Sequence, residues 1–532
     1  MKKFGILLIG FLFLVGCSVA EHPQNTSGDI IVTGSIGDAS NLLPLLASDK
    51  TSHDIASLVY NGLVKYDKDV KIVGDLARSW EVSQDGLTIT FFLRDDVRWH
   101  DGVPFTANDV LFTYQLTIDP QTPTAYSGDF LKVKTARVID NHTFQVTYGA
   151  PFAPALMSWG SAILPRHLLE GQNITETPLA RNPVGTGPFK FKEWIGTEKI
   201  VLVANPDYFG GKSKLSAFVM RVIPDPATMF LQLRSGGIDL MRLTPMQFSR
   251  QTDTVAFRRD FNKCRYPAFS YTYLGFNLAS PTFSDRRVRR AIAHAINKRE
   301  IIDGVMLGLA QEATGPYPTS SWAYNPRVTK YEYSPQKARK LLASAGWSDT
   351  NGDGILDKEG KAFEIEIITN QGNDVRAKTA EIIQRRLLEV GIVVKIRIVE
   401  WAAFVKDFIG KRRFDVVILG WSVPFDPDNY DIWHSHKTGP NELNFVSFKN
   451  AEVDKLLEAG RNTFNTELRK RYYWRFQEIL AEEVPYIFLY VPDELIALQS
   501  RFQGVLPAKL GIEYNLHEWF VAAEQRRYVF AP

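Results

Sequence analysis

The hydrophobic pattern is sharpest between residues 363 and 428. Phe363-Glu-Ile-Glu-Ile-Ile-Thr369 alternates apolar and polar positions and predicts a strand ending in Asn370-Gln371-Gly372-Asn373. Residues 376–390 place Ala380, Ile383 and Leu387 on one helical face, with Gly391 as the stop. Ile392-Val-Val-Lys-Ile-Arg-Ile398 predicts the next strand, which runs out at Glu400-Trp401 before a shorter helix over about 402–410. Val416 to Leu419 is an uncharged aliphatic run, the pattern of a strand buried on both faces. The chain changes character at Gly420-Trp421, where that strand is expected to end, and Pro424 and Pro427 forbid further ladder pairing. Asp426 and Asp428 follow at once.

This succession is β-α-β-α-β, for which right-handed crossovers and parallel strands are expected. In such sheets ligands bind outside the carboxyl ends of the strands. Asn370, Trp401 and Trp421 are therefore expected along one edge. Core packing explains either tryptophan taken alone equally well; their shared placement points to a site.

Upstream, residues 30–36 predict a strand, 47–53 a polar loop, and Ile55 to Leu63 a helix stopped near Gly62. Asp85-Gly86 between two alternating runs predicts a hairpin, and Arg98-Trp-His-Asp-Gly102 a turn. Thr106-Ala-Asn-Asp109 has the form of a capping box with Asp in place of Glu. Val288, Ala291, Ile292, Ala295 and Ile296 form an apolar stripe, so Arg286, Arg287, Arg289 and Arg290 are expected on the solvated face rather than as an anion patch. Asp349 to Asp357 imitates the first half of a calcium loop, but position 12 is Gly360, and a tight turn is the expected reading.

Composition narrows the class. A chain of 532 residues exceeds one core, and a net charge of +3 gives no electrostatic case for nucleic acid. Lys2-Lys3 precede the apolar run Phe4 to Val15, too short for a resident membrane helix. The run closes on Leu14-Val15-Gly16-Cys17, which resembles the lipobox of bacterial lipoproteins and implies removal of 1–16 and acylation of Cys17. Only Cys264 then remains, expected as an inert thiol in an exported chain that relies on packing. No nucleophile elbow, phosphate loop, HExxH or CxxC is present, and His434-Ser-His436 lacks a third ligand nearby, so neither catalysis, a cofactor nor a metal is expected.

The run LARSWEVSQDGLTITFFLRDDVRWHDGVPFTANDVLF resembles the signature region of the family 5 extracellular solute-binding proteins of ABC transporters. The likeness continues through Pro183-Val-Gly-Thr-Gly-Pro-Phe189, Gly275-Phe-Asn277, Phe283 to Ile292, Ser334 to Trp347 and Glu482-Glu-Val-Pro485, in family order. It implies a two-lobed α/β fold of the periplasmic-binding-protein type with a small inserted lobe and a hinge. Carried over, 28–55, 186–272 and 492–532 make lobe I, 56–185 the insert and 278–488 lobe II, with crossings near 273–277 and 489–492. The resemblance also implies a lipid-anchored monomer on the extracytoplasmic face of a bacterial membrane, serving an ABC permease and its ATPase. Peptide is the leading ligand; a metal chelate, an opine, an oligosaccharide, or a sensory or scaffold role without transport are the alternatives.

Cleft contacts implied by the resemblance are Ser48, Tyr126, Asn370, Trp401, Gly420 and Trp421. The sequence departs from the family at two positions. Peptide binders carry an Asp three residues after the tryptophan matching Trp421, where this chain has Pro424; the oligopeptide branch has an Arg three residues before it, where this chain has Ile418. Asp426 or Asp428 is left to meet a ligand ammonium group.

Overall fold

The computed structural model describes residues 29–440, 442–506 and 508–528. The leader expected at 1–16, and Cys17, lie outside the described residues. The architecture is mixed α/β, built on one sheet in two halves.

The segment with the sharpest pattern folds as expected. Strands Glu364–Asn370 and Val393–Val399 pair in parallel from Glu364↔Val393 to Asn370↔Val399. Strand Val416–Ser422 joins them, also in parallel, through Ile367↔Val416 and Ile368↔Val417. Helix Asp374–Leu388 connects the first two, and Gly391 takes the left-handed conformation that ends the turn after it. Val416 and Ile418 are buried with this helix on one face, and Val417 packs with Phe476 and Trp433 on the other. Each such side chain contributes about 1.5–3 kcal/mol by leaving water.

The last strand runs further than its composition suggests. It continues through Gly420 and Trp421 to Ser422, because Ser270–Phe276 pairs with it residue by residue up to Ser270↔Ser422. Glycine and tryptophan permit a ladder; the break comes at Pro424, which lacks an N–H.

The other half of the sheet contains Ile30–Ser35, Ala217–Val222, Leu240–Arg242 and the hairpin Phe189–Ile195/Lys199–Ala204. The long strand Tyr486–Gln499 connects the halves. Its first part pairs with Ser270–Phe276, and its second with Phe261–Pro267 and Leu240–Arg242. The chain therefore crosses between halves at 490–493 and again at Ala268-Phe269. The second crossing falls upstream of the expected 273–277, because Tyr273 to Phe276 is still laddered to Val416–Leu419.

A separate antiparallel sheet, with Ala77–Val82, Thr88–Leu93, Thr143–Tyr148 and Val133–Asp140 in that order, has its own core around Trp99, Phe91, Phe144 and Trp159. Gly86 turns its first hairpin with φ +71°. Asp109 accepts from Thr106 N at 2.8 Å and starts helix Ala107–Ile118, as the capping pattern predicts.

Two local expectations are corrected, and a third, the tight turn at 349–357, is found. The first helix spans Lys50–Val59, earlier than 55–63, because Asp49 caps it by accepting from Ser52 N at 2.9 Å. Arg289 leaves the solvated face of its helix; it is buried and donates to the carbonyls of Phe283 (2.6 Å) and Glu483 (2.9 Å). Its fork thereby satisfies a neighbouring helix end that would otherwise be orphaned. The 349–357 segment spends Asp349 on its own turn, accepting from Gly352 N at 2.7 Å and Gly354 N at 2.9 Å.

Among the described residues no helix is long and apolar enough to cross a membrane. Cys264 is half-buried, and burial raises its pKa, away from the reactive thiolate.

Candidate functional site

A cavity of about 1350 Å³ lies where the halves face each other. It exceeds the roughly 300–1,000 Å³ usual for small-molecule pockets. The end of strand Ile30–Ser35, helix Lys50–Val59 and the loop before it line one side; the ends of strands Glu364–Asn370 and Val416–Ser422 line the other. The two sides touch. A Cβ at Gly37 would lie 3.0 Å from the Trp401 ring, and one at Gly372 would lie 2.7 Å from Pro224 O.

The structure brings Ser48, Tyr126, Asn370, Trp401, Gly420, Trp421 and Asp428 to this cavity. Ser48 is exposed in its loop. Tyr126 reaches across from beside the small sheet and donates to Ala47 O at 2.8 Å, so its hydroxyl also ties its own segment to that loop. Trp401 stacks on Phe404, and its indole nitrogen is buried without an acceptor. Trp421 is half-buried, stacks on Phe445 at 5.7 Å and donates to Tyr486 Oη at 3.3 Å.

Asn370 is buried, and its Oδ1 accepts from Arg376 Nη1 at 2.8 Å. Its side chain is thus committed to orienting Arg376, a cavity-lining residue that the sequence reading missed. Arg376 sits on the polar side of a helix first turn, where periodicity marks it only as solvated. Gly420 has a packing reason to be glycine. A Cβ there would lie 2.9 Å from Tyr271 O and 3.0 Å from Arg376 Nη2.

Asp426 does not line the cavity. Arg469 holds both its oxygens, Nη1 to Oδ2 at 3.0 Å and Nη2 to Oδ1 at 2.7 Å. This bidentate pair anchors the loop after the strand to helix Thr466–Glu483. Asp428 does line it, 2.8 Å from Arg461 Nε. Asp431 and Glu442, neither singled out by the sequence, join it on the wall, each 3.1 Å from Lys437 Nζ. With Asp129, which also pairs with Arg461, five carboxylates share Lys437, Arg461 and Arg469. The surplus is negative. Burial pushes Asp428 up to about 7 against the pull of Arg461, and raises Glu442 as well.

The departures from the family also find their places. Ile418 is fully buried in the core, and Pro424 lines the cavity without offering a charge. From Leu419 to Ser422 the strand pairs only with Ser270–Thr272 and its continuation; its other edge has no strand partner among the described residues. His100, in its turn, is a tie: Nδ1 accepts from Gly185 N at 3.2 Å and Nε2 meets Gly187 O at 3.0 Å. His434 packs on Tyr430 with Glu458 Oε1 at 3.3 Å. Among the described residues no group of three or more His, Cys, Asp or Glu side chains is placed to hold a metal ion.

Residues 71–442 match the family described as bacterial extracellular solute-binding proteins, family 5, middle region. The chain is 34% identical to the oligopeptide-binding protein AppA of Bacillus subtilis, over 98% of each chain. The AppA structure in complex with a nonapeptide superposes with a TM-score of 0.89, covering 93% of this chain and 99% of that one at 33% identity. NikZ from Campylobacter jejuni in complex with Ni(L-His) gives 0.86 at 30% identity, and DppA from Helicobacter pylori with the peptide STSA gives 0.84 at 29%. These cover 93% of this chain and 99% and 98% of theirs.

Proposed function

The chain belongs to the family 5 bacterial extracellular solute-binding proteins, and on that premise we propose that it captures peptides for an ABC importer. The observation that carries this reading is the unpaired edge of Leu419–Ser422, which opens onto a cavity larger than a small ligand needs. A peptide main chain adds to such an edge as a further strand, independently of its sequence. The ammonium end finds the wall of Asp428, Asp431 and Glu442, whose surplus charge a cation neutralises. Trp401 and Trp421 supply apolar faces for side chains. The volume left over is filled by water, which keeps selectivity broad.

In this reading 28–55, 186–267 and 494–532 form one lobe, 56–185 the insert and 270–489 the other lobe, the boundaries moving with the crossings. The crossings at 268–269 and 490–493 serve as the hinge. Closure buries the ligand, and the closed form is what the permease and its ATPase recognise. Acylated Cys17 holds the monomer at the outer face of the membrane. The protein binds and releases its ligand chemically unchanged.

Calorimetry with alanine peptides of two to nine residues tests the proposal, since AppA was solved with a nonapeptide. Micromolar or tighter binding is expected for some of them, with a smaller radius of gyration in the complex by solution scattering. Absence of binding across the series, with tight binding of the nickel–histidine complex instead, would transfer the protein to the chelate binders.

A further inference from the structure

Among the cations that line the cleft, Arg376 stands apart. Arg242 is held by Glu513 at 2.7 Å and Glu494 at 3.4 Å, Lys50 is held by Asp54 at 3.0 Å, and Lys406 is exposed to solvent. Arg376 has no carboxylate partner among the described residues; its side chain is bonded to Asn370 alone. Asp374, in the same turn, is exposed and does not pair with it. Burial lowers its pKa, the direction of a guanidinium removed from water without a counter-charge. A half-buried cation left without a counter-charge is a standing cost to the empty protein.

The surroundings hold this charge in place and add to it. Arg376 occupies the first turn of helix Asp374–Leu388, whose amide ends carry positive partial charge. Asn373 caps the helix by accepting from Arg376 N at 3.0 Å, fixing the backbone from which the side chain departs. Asn370 Oδ1 fixes the far end, and the absent side chain of Gly420 leaves the space that Nη2 occupies beside the free strand edge. A fixed, forked, unpaired donor at that edge is built for a planar acceptor.

We infer that Arg376 is the carboxylate-recognition residue of the cleft, filling at the Gly420 end the role that the acidic wall fills for the ammonium group. The inference rests on the solute-binding reading above and deepens it. A carboxylate has two sources in a peptide: the carboxyl terminus of a short one, or an aspartate or glutamate side chain near the amino end of a longer one. The two make the same fork-to-fork contact.

Calorimetry on the mature chain decides, using tetra-alanine as the free acid, as its C-terminal amide, and as the amide with one Asp at each position in turn. At least one carboxylate form is expected to bind about tenfold or more tighter than the plain amide, the order of a charge-assisted bidentate contact. Preference for the free acid assigns the terminus; preference for one Asp amide assigns the side chain. Arg376→Gln should erase the preference while still binding the plain amide, and Arg376→Lys should restore part of it. Equal binding of acid, Asp amides and plain amide by the wild type, or an undiminished preference in Arg376→Gln, overturns the inference.

Thermal melts of ligand-free protein give a readout independent of peptides. Arg376→Gln should melt at or above the wild type, and a clear fall would make the guanidinium structural and overturn the assignment. If no peptide binds the wild type, the peptide reading fails on its own. The carboxylate inference is then decided by the melts together with thermal shifts from the nickel complexes of L-histidine and of its methyl ester. A shift by the acid complex alone, lost in Arg376→Gln, sustains it; equal effects of acid and ester, or none, end it.

Discussion

Arg461 Nε stands 2.8 Å from Asp428 Oδ2, and the same guanidinium pairs with Asp129 beside the small sheet. Arg461 is 1% exposed, so one buried cation joins a cavity-wall carboxylate to the segment beside the small sheet. Ala153 N also donates to Arg461 O at 2.6 Å, so backbone and side chain fix the same junction. Removal of one partner from such a cluster leaves the others desolvated and uncompensated.

Arg461→Met should therefore destabilise the protein by about 2–4 kcal/mol in denaturant titrations, because two half-buried carboxylates lose their shared buried partner. Asp428→Asn should cost less, since Arg461 keeps Asp129. A loss below about 1 kcal/mol from Arg461→Met would show that the cluster does not hold the junction.

Gly420→Ala should weaken both fold and binding. The new methyl meets Tyr271 O at 2.9 Å, a backbone atom in a paired strand, and Arg376 Nη2 at 3.0 Å. Overpacking of this kind costs about 1–3 kcal/mol. Displacement of Arg376 should remove any preference for carboxylate-bearing ligands. Melts and calorimetry indistinguishable from wild type would show that the strand shifts to make room.

His100 should make the fold sensitive to acid. Its Nδ1 accepts from Gly185 N, an arrangement only the neutral ring can make, and burial lowers its pKa to about 4. The folded value lies below the ordinary one of about 6.5. The resulting stability is therefore full above pH 6.5 and is lost as pH falls towards about 4, with no further loss from this group below that. At about 1.4 kcal/mol per pH unit the window is worth up to about 3 kcal/mol. His100→Gln should flatten this part of the stability profile; an unchanged slope would place the acid sensitivity elsewhere.

Cys17→Ser should release the protein from bacterial membranes into the soluble fraction, since the acyl chains supply the proposed anchor at about 0.8 kcal/mol per buried CH₂. Retention of the variant in the membrane fraction would count against lipidation at this residue.

The pattern of apolar positions predicts parallel strands at 363–369, 392–398 and 416–419, found at 364–370, 393–399 and 416–422, because period and burial are written locally: Val416, Val417 and Ile418 can only be interior, whereas the extension through Gly420-Trp421 depends on the neighbouring strand. It also brought Asn370, Trp401 and Trp421 to one edge, since strand direction follows from the crossover rule. What local pattern could not supply was the partner of each charge. Asp426 and Asp428 look alike two residues apart, yet one is consumed by Arg469 outside the cavity and the other stands on its wall beside Arg461. Arg289 reads as a solvated position on an amphipathic helix, and Arg376, polar in a first helical turn, carries no signal of its own. One is folded onto backbone carbonyls and the other lines the cleft with no carboxylate partner among the described residues. Burial of apolar residues follows from each segment's own composition, whereas the state of a charge is set by groups tens to hundreds of residues away, and only the tertiary structure brings those together.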